Sequence, residues 1–81
     1  MEVIARSRRW RVTHGHRRHM ECHIQSVRDF LDAAAYEVRV LYDGEPMYAR
    51  TFPTPGSAER EADDFLKDVL AAGWFPHSAA E

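Results

Sequence analysis

The strongest constraint in this chain is a two-residue step, Asp43-Gly44, with a period-two segment leading into it. In YEVRVLY, Tyr36, Val38, Val40 and Tyr42 share one face of a strand, and Glu37, Arg39 and Leu41 share the other. Asp-Gly reverses such a strand cheaply, because glycine accepts a positive φ without a steric penalty. MYARTF returns on the far side, and Pro53 and Pro55 end it, with Gly56 completing a short link. The next segment, SAEREADDFLKDVLAAGW, changes period. Ala58, Ala62, Phe65, Leu66, Val69 and Leu70 fall on one helical stripe, and charged residues fill the rest. Ser57 is the expected N-cap, with Glu59 and Glu61 near the positive end of the helix dipole. Asp63 and Lys67 are spaced as an i,i+4 ion pair. Gly73 is the expected left-handed stop, Trp74 folds back on Val69, and Pro76 prevents resumption.

The first 35 residues admit two readings. RRWRVTH alternates, with Trp10, Val12 and His14 on one face and Arg9, Arg11 and Thr13 on the other. MECHIQSVRDFLDAAA can be a strand, with Met20, Cys22 and Ile24 opposed to Glu21, His23 and Gln25. It can also be a helix, with Met20, Ile24, Val27, Leu31 and Ala34 on one stripe. A helix here would run into Tyr36 without a Gly, Asn or Pro to stop it, so the strand is preferred. The expected fold class is α+β: a small antiparallel meander of three to four strands with one C-terminal helix packed on one face, ββββα. The alternative is βαββα with residues 18–35 helical. Eighty-one residues form one domain, with residues 1–8 and 77–81 expected to be loose ends.

The order Trp10, Cys22, a V-x-V strand ending in Asp43-Gly44-Glu45, Phe52, and an alanine-spaced helix closing at Gly73-Trp74 resembles a group of short bacterial proteins with no assigned activity. The likeness spans about residues 10–74. It implies a small meander before one helix and implies no activity. The proline-rich link and the histidine density are not features of that group.

A single cysteine excludes an internal disulfide, so the core must come from packing, and a lone thiol suits a reducing cytoplasm. No apolar run is long enough to span a membrane, and MEVIARSRRWRV lacks the continuous apolar segment of a signal peptide. A soluble cytoplasmic protein is expected, with no membrane partner. The net charge of −2 conceals a split. Residues 1–28 hold seven arginines against Glu2 and Glu21, a balance of +5; residues 29–81 hold four bases against eleven acids, a balance of −7. Such asymmetry fits a polar partner, a head-to-tail contact, or two faces of one domain that attract each other.

HGHRRHMECH, residues 14–23, concentrates four of five histidines and the cysteine. As metal ligands, His14, His16, His19, Cys22 and His23 are weak candidates. His14 and His16 share a strand face, His19 falls in the turn, and Cys22 and His23 point apart, so four tetrahedral ligands do not assemble. As a nucleophile, Cys22 would need His23 or His14 beside it and a substrate pocket that one sheet and one helix rarely leave. A buried apolar role suits Cys22 better, and no catalytic residue or cofactor is expected. As a nucleic-acid grip, Arg9, Arg11, Arg17 and Arg18 supply phosphate contacts, with Arg6 and Arg8 nearby and Trp10, Tyr36 or Tyr48 to stack bases. The pI of 6.2 and the acidic helix count against this. Finally, Leu41, Tyr48, Phe52 and Trp74 are more apolar surface than one helix easily covers. Leu41 and Tyr48 are therefore candidates for a protein interface or a homodimer, Phe52 and Trp74 for the core. The expectation is a non-enzymatic binding module for a protein partner or for itself in a regulatory context. Single-strand nucleic-acid binding is the alternative, and the metal cluster comes third.

Overall fold

A computed structural model describes residues 2–15, 17–28 and 31–76. Four long strands run as an antiparallel meander: β1 (Glu2–His14), β2 (Arg18–Arg28), β3 (Ala34–Tyr42) and β4 (Glu45–Phe52). Helix α1 (Pro55–Ala71) crosses one face, and a two-residue strand, β5 (Phe75–Pro76), closes the order β4-β3-β2-β1-β5. This is the expected ββββα arrangement with one short strand added. β5 pairs with β1 only at Val12 and Thr13.

The segment that read both ways is a strand. β2 lies between β1 and β3, so both of its edges are hydrogen-bonded, which a helix over 18–35 would forfeit. The helical stripe would have joined Val27 to Met20. In the sheet they face opposite ways, and Val27 is fully buried beside Val3 and Ala35. Before β3, Asp32 takes a left-handed φ of 64°, bonded from Arg28 at 3.2 Å. Residues 2–8, expected to be loose, form the first half of β1. Residues 77–81 and Met1 lie outside the described residues. His19, expected in the turn, is the second residue of β2. Asp43 and Gly44 both have positive φ, 50° and 84°, as a two-residue hairpin turn requires. The turn is tied to β2 by Asp43 N–H donating to the His19 carbonyl at 2.9 Å and His19 N–H donating to Asp43 Oδ1 at 2.8 Å.

The core forms where α1 meets the sheet. Trp10, Val12, Met20, Cys22, Val38 and Val40 come from the strands, and Ala58, Ala62 and Val69 from the helix. Two of the three helical contributors are alanines, so the helix backbone lies close to the sheet. Tyr36, Tyr42, Tyr48, Phe52, Phe65, Leu66 and Trp74 complete the rim. Leu70, expected on the buried stripe, is exposed. The helix begins earlier than its charge pattern suggests. Thr54, not Ser57, is the N-cap: its Oγ1 accepts from Ser57 N–H at 3.2 Å, and Pro55 opens the first turn. The first turn therefore carries no acid, and Glu59 and Glu61 lie further in. The end is as expected. Gly73 has φ 101° and donates to the Leu70 carbonyl, while Trp74 N–H donates to the Val69 carbonyl, both at 3.1 Å.

Seventeen helical residues span about 25 Å, whereas the 13 residues of β1 span about 40 Å. One helix cannot cover the sheet lengthwise. The far end of the helix-side face, where β1 and β2 run on past the core, is not covered by α1, and no described helix packs on the opposite face, where Val27 and Gln25 are nonetheless buried.

Candidate binding surface

A bulge sorts the N-terminal arginines. Between Arg8, opposite His23, and Trp10, opposite Cys22, the register slips by one, and Arg9 is the extra residue. Two consecutive side chains thereby meet the helix. Trp10 is 8% exposed and donates its indole N–H to the Ala62 carbonyl at 2.8 Å. Arg9 makes a two-pronged pair with Asp63 at 3.2 and 3.1 Å, with Glu59 at 4.0 Å. Simple alternation placed Arg9 with Arg11; the bulge takes it to the helix side. Asp63 is thus held by Arg9, and no Asp63–Lys67 pair forms among the described residues. Trp10 is sealed beneath the helix and offers no face to a base.

The remaining strand residues build the opposite face in cross-strand rows. Arg6, Gln25 and Glu37 form one row, Arg8, His23 and Arg39 the next, and Arg11, Glu21 and Leu41 a third. Acids separate the cations. Glu21 approaches Arg8 at 3.9 Å and His23 Nε2 at 3.5 Å, Glu37 approaches Arg39 Nε at 3.3 Å, and Gln25 donates to Glu37 at 2.6 Å. Three cationic or imidazole side chains in one row are tolerable because Glu21 stands diagonal to Arg8 and Glu37 lies two residues before Arg39 on the same face of β3. Even so, Arg11 Nε, His23 Nε2 and Arg39 Nε are buried with no hydrogen-bond partner of good geometry among the described residues. Leu41 lies on this face, half-buried. Among the described residues, the aromatic rings of the four long strands, Trp10, Tyr36, Tyr42, Tyr48 and Phe52, all stand on the helix side. Tyr48 is therefore not on the uncovered face: its hydroxyl bonds Glu61 of α1, and its ring packs on Phe65. Phe52 and Trp74 are partly buried against the core, Trp74 between His14 and Tyr42.

The histidine stretch is divided by the same alternation. His14 and Cys22 lie on the helix side, His19 and His23 on the other, and His16 falls outside the described residues. Among the described residues no three His, Cys, Asp or Glu side chains converge as metal ligands. Burial pushes the Cys22 thiol up to about 12, and His23 is across the sheet, so no thiolate–imidazole pair forms between them. Arg17 and Arg18 are exposed at the hairpin tip, and they join Arg6 and Arg11 in having no carboxylate within ion-pair distance among the described residues. Arg39, Arg8 and His23 belong to the surface although composition singled out the N-terminal cluster; the alternation of β3 already placed Arg39 opposite the core, but not beside His23.

The helix side has one further opening. A cleft of about 220 Å³ is lined by Ala5, Arg6, Ser7, Ile24, Ser26 and Tyr36, where the sheet outruns the helix. No helix among the described residues is long and apolar enough to cross a membrane. The chain matches no protein-family model, and no curated protein or solved structure matches it.

Proposed function

We propose that this protein is a small non-enzymatic protein-interaction module that engages a second protein surface, its own second copy first, through the uncovered sheet face. One observation carries the reading: that face is partly buried and polar, it interleaves both charge signs within one row spacing, and among the described residues its long strands present no phenyl, phenol or indole ring. A second copy turned about a two-fold axis can set arginine rows against Glu21 and Glu37. The lone buried thiol suits a cytoplasmic setting, and small size suits a regulatory one. The resemblance to short bacterial proteins of meander-plus-helix form remains part of this proposal.

A second reading, single-strand nucleic-acid binding, is favoured by Arg6, Arg11, Arg17 and Arg18, which have no carboxylate partner among the described residues and can neutralise phosphates. Sedimentation from micromolar to millimolar protein, with backbone amide shifts followed over the same range, separates the two. Self-association predicts a mass rising towards twice 9.4 kDa, with shifts over residues 21–25 and 37–41 that Arg39→Glu abolishes. A monomer throughout, with salt-sensitive shifts at Arg6–Arg18 on adding a mixed oligonucleotide, would replace it with the second reading.

A further inference from the structure

From the outer edge of β1 we infer a docking site for an extended segment of a partner protein in which acidic and apolar residues alternate. This deepens the protein-binding reading, but it uses the edge of the sheet and not its face. β5 covers only Val12 and Thr13, and among the described residues nothing pairs with that edge from Glu2 to Arg11. Between the register slips at Val3/Ala5 and Arg8/Trp10, Ala5–Arg8 is an unbroken run in which every second residue turns its N–H and C=O outward, a short template for an added strand.

The two sides of the edge differ, and the difference specifies the occupant. On the open face stand Arg6 and Arg8, with Arg11 beyond the bulge. On the helix side stand Ala5 and Ser7, both small, beside the cleft that reaches Ile24 and Tyr36. A strand laid against β1 would send alternate side chains to each side. Those opposite Arg6 and Arg8 meet cations, so carboxylates fit. Those opposite Ala5 and Ser7 pass over small residues into the cleft, so a branched apolar side chain fits. A second copy of β1 does not suit this edge, because its own arginines would face Arg6, Arg8 and Arg11 across the ladder. Arg6 has no carboxylate partner among the described residues, so an incoming acid displaces none.

The test uses the full chain and a short end-capped peptide alternating glutamate and valine. Binding is expected to shift Val3–Arg11 amides and to slow their hydrogen exchange. N-methylation of alternate peptide bonds, which keeps charge and side chains but prevents pairing, is expected to weaken binding by about tenfold or more. So is Arg6→Glu, an exposed site whose folding is checked by its amide spectrum, while lysine in place of the peptide glutamates should abolish binding. Equal affinity for the N-methylated peptide would overturn the inference, since attraction alone would then suffice. Slow exchange of the outward β1 amides before any peptide is added would also overturn it, because the edge would already be occupied by this chain or a second copy. If β1 ignores the peptide while the open-face amides still shift with protein concentration, only the edge site falls; if neither moves, the self-association reading falls with it.

Discussion

Trp10 does two jobs that a smaller ring cannot. It fills the space beneath Ala58 and Ala62, stacking on Phe65 at 6.1 Å, and it hydrogen-bonds the helix backbone at Ala62. Trp10→Phe keeps the ring and loses the bond and some volume, so urea unfolding should show a loss of about 1–3 kcal/mol. Arg9, its neighbour, is half-exposed, and its pair with Asp63 should be worth about 1 kcal/mol or less, read as the unfolding change in Arg9→Ala. Cys22 is the residue whose burial has a pH signature. Its thiol is neutral up to about 12 in the folded chain but ionises nearer 9 when exposed. Stability from this group is complete below the unfolded value and is lost as pH rises through 9 to 12. Alkaline unfolding curves should therefore slope less in Cys22→Ala, and Ellman's reagent should label the wild-type thiol only as the chain unfolds. Tyr48, also raised by burial and by its bond to Glu61, contributes in the same direction and would remain in that variant.

Among the elements, the helix is bounded by two local devices that do not depend on the sheet. Thr54→Ala removes the Oγ1 acceptor for Ser57 N–H and should cost about 1 kcal/mol in thermal or urea unfolding, whereas Ser57→Ala should cost less, because Ser57 donates and does not cap. The stop at Gly73 was legible because glycine followed by an aromatic and a proline has few other uses. The start was less legible: Ser57 before a charged run looked like a cap, but Pro55 has a φ already suited to a first helical position, which moved the cap to Thr54. β2 shows the larger difficulty. Its apolar residues satisfied both periods, and only pairing on both edges decides between them, which no local pattern contains.

Across the whole molecule, the basic and acidic halves meet within one chain. Arg9 of the basic half reaches Glu59 and Asp63, and within the acidic half Arg50 reaches Glu61 at 4.0 Å, so the acidic helix lies against cations of the sheet. These pairs are largely exposed, and salt should weaken them. Raising ionic strength to 1 M, where the screening length is about 3 Å, should lower stability only slightly, by less than Trp10→Phe does. A larger loss would mean that the charge split, and not the core of Trp10, Val12, Cys22, Val38 and Val40, holds the helix down.

Features that depend on neighbours along the chain were legible from the residues alone: the reversal at Asp43-Gly44, the helix end at Gly73, the core faces of β3 and of Met20, Cys22 and Ile24, and the burial of Cys22. They obey steric rules and periods of two and 3.6. Features that depend on a partner strand emerged only from the folded sheet. The bulge at Arg9 sent one arginine to the helix and left Arg6, Arg8 and Arg11 on the other face. Register set Arg39 beside His23, and β5 capped just two residues of an edge that residues 2–8 extend. A strand's alternation is local, but its bulges and register are properties of the pair. The rows of charge on the open face, and the stretch of the β1 edge that no described residue pairs with, are therefore set by which strands lie together and where they slip.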